Sequence, residues 1–279
     1  MADEVTTRLA TSSVEPAVLI APNRNSFLKA EARSYRMRFA ETREDLEGAF
    51  RLRFLVFNLE LGEGPESAYR DGYERDEFDE ICDHLLIEDT RNGQIVGTYR
   101  LQTGIAAGRN LGYYSAREFD FTPYEPLRGK LVELGRACIH RDHRSFEVLT
   151  LLWRGIGAYA QERRARYLVG CSSLTSQSPS EGLVIYSQLQ DFLVEPSLQT
   201  VPLPAFELPV DEHGSLRSDL RPPKLLRAYL SIGARICGIP AIDRAFKTID
   251  FLTLLDLEAI YSGARARYLG GAKSGEAGR

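Results

Sequence analysis

Four charged patches sit in or beside apolar, strand-like runs in the first half of this 279-residue chain. They read RFLVF (53–57), DEFDEICDHLL (76–86), GTYRLQ (97–102) and ELGRACIHRDHRS (133–145). A charge carried by such a run ends up in the interior, where it is costly unless an opposite charge meets it. The fold must therefore gather these groups. Arg53, Asp76, Asp79, Arg100, Glu133 and Arg136 are the residues that can neutralise one another around a single polar cleft. The purely structural alternative is a set of ion pairs, Arg100–Glu133 or Asp79–Arg136, holding a hairpin to the next strand.

Periodicity places these patches. Residues 35–40 alternate and predict a strand, and Thr42 caps a helix with Asp45 three residues on. Leu46, Phe50, Phe54 and Phe57 continue at helical spacing. Residues 60–75, rich in glycine and charge, predict a loop. Residues 84–88 and 94–102 form a hairpin across Arg91-Asn-Gly, and a glycine-punctuated loop follows. Residues 131–140 are the next strand, 146–163 an amphipathic helix and 167–171 a short buried strand. Residues 183–189 read as helix and the proline-rich 195–223 as an irregular crossing. Residues 224–237 read as a second amphipathic helix closed by Gly238, and 248–257 as the last strand. Residues 1–34 are expected to be an extension, 35–262 one mixed α/β domain, and 263–279 a disordered tail.

Composition narrows the function. A net charge of −4 argues against nucleic acid as a partner. Residues 128–167 nevertheless carry nine Lys/Arg against four acids, a basic zone suited to an anionic partner or simply a solvated face. The four cysteines are widely spaced and form no CxxC pair, which favours a reducing compartment over disulfides or zinc. Cys171 is expected to be a buried structural thiol rather than a nucleophile. No apolar run reaches the ~20 residues of a membrane span. The expectation is a cytoplasmic protein, with peripheral contact at an inner membrane through the 224–237 segment as the further option.

Some signals point away from chemistry. His140 and His143 are too few for a metal site, so no metal is expected. Gly155-Ile-Gly157 lies within a helical pattern and is no dinucleotide fingerprint. Phe54, Phe57, Phe78, Tyr99 and Trp153 are core residues that can also wall an acyl tunnel.

The spaced set Arg53-x-x-x-Phe57, Asp76-x-x-Asp79, Gly97-Thr-Tyr-Arg100-Leu101 and Glu133-x-x-Arg136 resembles the signature of acyl-homoserine-lactone synthases, acyltransferases of GNAT type. The wider runs ELGRACIH, LLWRGIGAYA (151–160), YLVGCSSL (167–174) and LLRAYLSIGARICGIPAIDRAFKTIDFLTLLD (225–256) are more similar to the hemolysin-like GNAT N-acyltransferases. That branch includes ornithine Nα-acyltransferases and resembles N-acyl amino acid synthases. The likeness spans about residues 35–260. It implies a GNAT-like mixed sheet flanked by helices, as in acyl-CoA N-acyltransferases and autoinducer synthases. It also implies a long-chain acyl group moved from acyl carrier protein, with acyl-CoA as the other donor, to the α-amine of an amino acid. Ornithine is favoured as acceptor, with glycine or another amino acid open. No tightly bound cofactor is expected.

The positions that match are Arg53, Phe57, Asp76, Asp79, Arg100, Glu133 and Arg136; the chemistry of amide formation gives catalysis to Glu133, Arg100, Asp76 and Asp79, with Glu133 as first choice for general base. Substrate contacts fall to Arg53, Phe57, Arg136, Tyr99 and Trp153. The donor's phosphopantetheine and carrier protein fall to Arg141, His143, Arg144 and Ser145. Many acetyl-CoA users carry a glycine-rich pyrophosphate loop at that point. Residues 141–145 contain no glycine, which favours the carrier-protein donor. Two rivals remain: a homoserine-lactone synthase consuming S-adenosylmethionine, and a non-catalytic membrane-active protein.

Overall fold

The computed structural model describes residues 30–32, 34–209 and 220–260, with Gly263 and Ala266 beyond them. Nine strands form one sheet: β1 (Ala30–Ala32), β2 (Tyr35–Phe39), β3 (Asp83–Asp89), β4 (Gln94–Thr103), β5 (Leu131–Ile139), β6 (Tyr167–Leu174), β7 (Arg235–Ile236), β8 (Ala241–Asp243) and β9 (Thr248–Asp256). Their order is β1-β2-β3-β4-β5-β6-β9-β7, with β8 also on β9. Among these strands β5 and β6 alone run parallel.

The helices are α1 (Arg43–Arg53), α2 (Gly104–Arg109), α3 (Phe146–Glu162), α4 (Pro179–Gln188) and α5 (Lys224–Ser231). Helix α1 starts as expected: the Thr42 hydroxyl accepts from the Asp45 N–H, and Asp45 Oδ2 accepts from the Thr42 N–H. It runs on as a π-helical segment, Phe54–Leu61, into the stretch expected to be loop. Helix α3 buries Val148, Leu151, Leu152, Ile156 and Tyr159 against Leu85, Ile87, Val96, Leu101 and Val132. At ~1.5–3 kcal/mol for each large apolar side chain, that stripe fixes the helix on its face of the sheet. Leu52, Val56 and Phe57 pack on Cys138. The hairpin turns as expected at Arg91–Gly93, where Gly93 takes φ +75° and its N–H donates to the Asp89 carbonyl.

The structure corrects three expectations. Part of the amino-terminal extension is strand β1, paired with β2; residues 1–29 lie outside the described residues. The expected helix over 224–237 stops at Ser231. Gly233 takes φ +110°, the Ala234 N–H donates back to the Tyr229 carbonyl, and the chain leaves as β7 along β9. Gly238 is therefore not a helix cap. It lies against Thr200, where a Cβ would stand 2.2 Å from the carbonyl oxygen. Residues 104–109, read as loop, form α2, capped by the Thr103 hydroxyl. Of the tail expected to be disordered, only Gly263 and Ala266 fall within the described residues.

Candidate active site

Three arginines and three carboxylates close into a ring. Arg53, at the end of α1, pairs with Glu74 and donates through Nη1 and Nη2 to both Asp79 oxygens at 2.7 and 3.0 Å. Arg100 on β4 donates from Nη1 to Asp76 at 2.5 Å and Asp79 at 2.9 Å. Arg136 on β5 donates from Nε to Glu74 at 3.0 Å and from Nη2 to Asp76 at 2.9 Å. Each cation bridges two anions and each anion two cations, so the ring is neutral as a unit. Arg53 and Glu74 are wholly buried.

Local structure sets the ring. Asp76 and Asp79 cap the short 3-10 turn Glu77–Glu80: Asp76 Oδ1 accepts from the Phe78 N–H, and Asp79 Oδ2 from the Asp76 N–H. Arg136 sits in a bulge. Thr98 pairs with Cys138 and Arg100 with Gly135, so Tyr99 faces two residues of β5, and Arg136 takes φ +50°. Its guanidinium lies between the rings of Tyr114 and Phe246, at 4.5 and 4.6 Å. Burial works to raise the Asp79 carboxyl, but Arg53 and Arg100 outweigh it and hold it well below the carboxylate range. Burial lowers His84 to about 4, so this neighbour of Asp79 is neutral at physiological pH.

The expected pairs Arg100–Glu133 and Asp79–Arg136 are absent among the described residues. Glu74, from the presumed loop, takes the place given to Glu133. Charge counting was the available signal, since Arg53, Arg100 and Arg136 need a third acid beside Asp76 and Asp79.

Glu133 does other work. Its Oε1 accepts from the Ser115 N–H at 2.7 Å; Oε2 accepts from the Tyr114 N–H at 2.9 Å and Gln102 Nε2 at 2.7 Å. It fixes the Tyr114–Ser115 turn beside the place where the sheet opens. There β5 and β6 pair only through Leu131–Tyr167, Val132–Leu168 and Glu133–Val169, then part. A Cβ on Gly170 would meet the Leu134 carbonyl oxygen at 2.2 Å, so only glycine permits this apex. Gly170→Ala is expected to cost about 1–3 kcal/mol by forcing backbone apart, measured by denaturant unfolding; an unchanged midpoint would show that the apex yields freely.

A cavity of about 690 Å³ occupies the opening, a size typical of small-molecule sites. Glu133, Arg136, Arg100, Phe57, Tyr99, Arg144 and Ser145 line it. Its apolar wall includes Phe146, Leu149 and Leu152 of α3 with Leu225 and Ala228 of α5. Arg53, Asp76 and Asp79 do not line it; they sit in the ring, of which Arg100 and Arg136 reach the cavity. Trp153 lines a smaller adjoining cavity, edge-on to Tyr229 at 5.6 Å, and the Tyr229 hydroxyl hydrogen-bonds that of Tyr99.

The 141–145 segment divides. Arg144 grips Glu60 at 2.7 and 2.8 Å, and Ser145 caps α3 by accepting from the Val148 N–H. His143 meets the Tyr35 hydroxyl at 3.0 Å and Arg141 is exposed; neither lines the cavity. Cys171 lines it, but burial pushes its thiol well up, away from a nucleophilic thiolate.

Sequence reasoning missed four acids on the cavity wall: Glu63, Glu118, Asp243 and Asp250. All are buried, and among the described residues none has an ion-pair partner. Carboxylate oxygens of Glu118, Asp243 and Asp250 lie within 4.8 Å of one another, close enough to share one cation. Burial raises Glu118 well above the usual range, with Asp250 and Asp243 adding to it, and burial also raises Asp250. Asp250 interrupts an apolar strand, the same signal that marked the first-half patches.

Glu63 is raised to about 6, by burial first. Its native form thus holds a proton more tightly than the unfolded chain does. Its contribution to stability is present at acid pH and is lost as pH rises towards 6 and beyond. Glu63→Gln is expected to stabilise the protein by ~1 kcal/mol at pH 7.5 and by little at pH 4.5. Equal changes at both pH values would contradict this.

An open mixed sheet whose parallel pair parts around a cleft is the frame of a GNAT-type acyltransferase. Among the described residues no helix is long and apolar enough to cross a membrane. Residues 52–154 match the acetyltransferase (GNAT) domain. The chain is 34% identical over 265 residues to the L-ornithine N(alpha)-acyltransferase of Brucella abortus (strain 2308), covering 88% of this chain and 92% of that protein. It is 33% identical over 248 residues to the protein of the same name from Agrobacterium fabrum (strain C58), covering 84% of each. The chain belongs to this family of N-acyltransferases. Among solved structures, FeeM, an N-acyl amino acid synthase from uncultured soil microbes, is similar at 12% identity and a TM-score of 0.49, over 84% of this chain and 95% of that one.

Proposed function

We propose that the protein transfers a long-chain fatty acyl group from acyl carrier protein to the α-amine of ornithine, giving an N-acyl amino acid. The observation that carries this reading is the cleft between β5 and β6, apolar along α3 and α5 and rich in carboxylates beside Glu133. A thioester is already activated, so no covalent nucleophile is needed. The acceptor's ammonium binds at Glu133 and loses a proton to it, directly or through water. The freed amine nitrogen attacks the thioester carbon. The bulge at Arg136 leaves a backbone N–H outside the ladder for the oxyanion. Collapse expels the pantetheine thiolate, which takes a proton as the amide forms. Arg136 binds the acceptor carboxylate: its Nε and Nη2 are used in the ring, and Nη1 has no partner among the described residues.

The donor loop supports a carrier protein. The Asp142 N–H donates to His140 Nδ1, the His143 N–H to the His140 carbonyl, and the Ser145 N–H to the His143 carbonyl. These donors are spent within the loop and cannot cradle a pyrophosphate. Exposed Arg141 suits the acidic surface of a carrier. With ornithine as acceptor, kcat/KM is expected to be at least 10-fold higher for acyl carrier protein than for the matching acyl-CoA, about 1.4 kcal/mol. Equal or better use of acyl-CoA would overturn the donor assignment.

A further inference from the structure

Four buried carboxylates on one cavity wall, none with an ion-pair partner among the described residues, form an unfinished electrostatic arrangement. Among the described residues no donor reaches Oε2 of Glu118 or Oδ1 of Asp250, both buried, and the two carboxyl groups meet each other. The two residues are only 2% and 4% exposed, yet both line the cavity. Ser172 Oγ, also buried and lining the cavity, is a third orphan. Buried polar atoms are nearly always paired, so unpaired ones on a cavity wall mark where a ligand supplies the donors. Asp243 is partly satisfied: its Oδ1 accepts from the Ala245 and Phe246 N–H groups, both at 2.8 Å. The neighbouring ring is neutral overall; Arg136 acts on Glu118 from it but is outweighed by burial and by Asp250 and Asp243.

Resting on the reading of the cleft given above, we infer that Glu118, Asp243 and Asp250 bind the side-chain ammonium of a dibasic amino acid acceptor and so select it over neutral amino acids. Geometry links this subsite to the reacting end. The Ser115 N–H donates to Glu133, and Glu118 lies one 3-10 turn further on, its N–H donating to the Ser115 carbonyl. At about 2 Å of rise per residue that turn advances about 6 Å. A side chain of three methylenes, four bonds of about 1.5 Å each, covers a similar distance from Cα to terminal nitrogen. An ammonium presents three N–H donors to the unpaired oxygens, and the surrounding negative charge favours it over a methyl.

The test measures binding and turnover separately. Ornithine and its isostere 2-aminopentanoic acid, which lacks the terminal amine, are titrated calorimetrically into the wild-type protein and the Glu118→Gln and Asp250→Asn variants. Acylation of both acceptors is followed in parallel. Wild type is expected to bind ornithine at least 10-fold more tightly. Each variant should bring that ratio towards one, since hydrogen bonds to a charged group are among the stronger ones. Both variants put a neutral isostere where burial already disfavours a charged carboxylate, so melting temperatures should hold or rise, which separates lost selectivity from lost folding.

No ornithine preference in the wild type, or a preference unchanged in a folded variant, overturns the subsite. Ornithine binding abolished by a chelator and restored by calcium overturns it too, because the acids would then be metal ligands. Selective ornithine binding without acylation would keep the subsite and sink the reaction it serves.

Discussion

Arg53→Met is expected to lower the unfolding free energy by about 3–5 kcal/mol, the cost of breaking a buried ion pair from one side. The substitution preserves approximate volume but strands Glu74 and Asp79, both buried, without one of their two cations. Arg53→Lys is no rescue, because one ammonium cannot reproduce donors to two separate carboxylates. The exposed pair Arg117–Glu77, at 2.5 Å, provides the contrast. Arg117→Ala should cost less than ~1 kcal/mol. Denaturant unfolding of both variants measures the difference, and similar small losses would mean that the ring is not a structural keystone. The ring also bears on acid stability. The native Asp79 pKa lies below its unfolded value. Its stabilisation is complete above the ordinary carboxylate range and is lost as pH falls through and below it.

Glu133→Gln is expected to lower kcat/KM by ~10²–10⁴-fold, the usual range for removing a general base. The substitution is not innocent here. Both oxygens accept from N–H groups, so a glutamine amide sets its own donors against the N–H of Tyr114 or Ser115. Activity loss alone therefore does not separate proton transfer from positioning. The pH profile does. If Glu133 takes the proton, turnover by the variant recovers as pH rises through the acceptor amine's own titration, where the amine no longer needs a base. If Glu133 only holds the turn, the variant stays equally impaired at every pH.

The sequence exposed the sheet and the charges better than the partners. Strand β2 alternates and helix α3 repeats every 3.6 residues, while β3 to β5 showed as short apolar runs; their ends fell within a few residues of expectation. Helix α5 was overextended because apolar spacing continues past Gly233, whereas φ +110° there ends the helix. Five of the six arginine and acid residues in the ring were visible as charges in or beside apolar runs. Glu74 was hidden because a loop acid gives no periodic signal until the chain folds over it. Glu118, Asp243 and Asp250 were hidden by distance: they come from a 3-10 turn and two late strands, and nothing in their spacing shows that their oxygens converge. The 141–145 loop was read as one donor-binding unit, yet only Arg144 and Ser145 reach the cavity wall.

The measurement that tests the central claim most directly incubates the protein with a long-chain acyl carrier protein and an equimolar pool of the common amino acids plus ornithine, read by mass spectrometry. The account predicts one dominant product, ornithine acylated on its α-nitrogen, with free carrier thiol released in equal amount. A dominant product from a neutral amino acid, or no amide product from either carrier protein or CoA thioester, would contradict it.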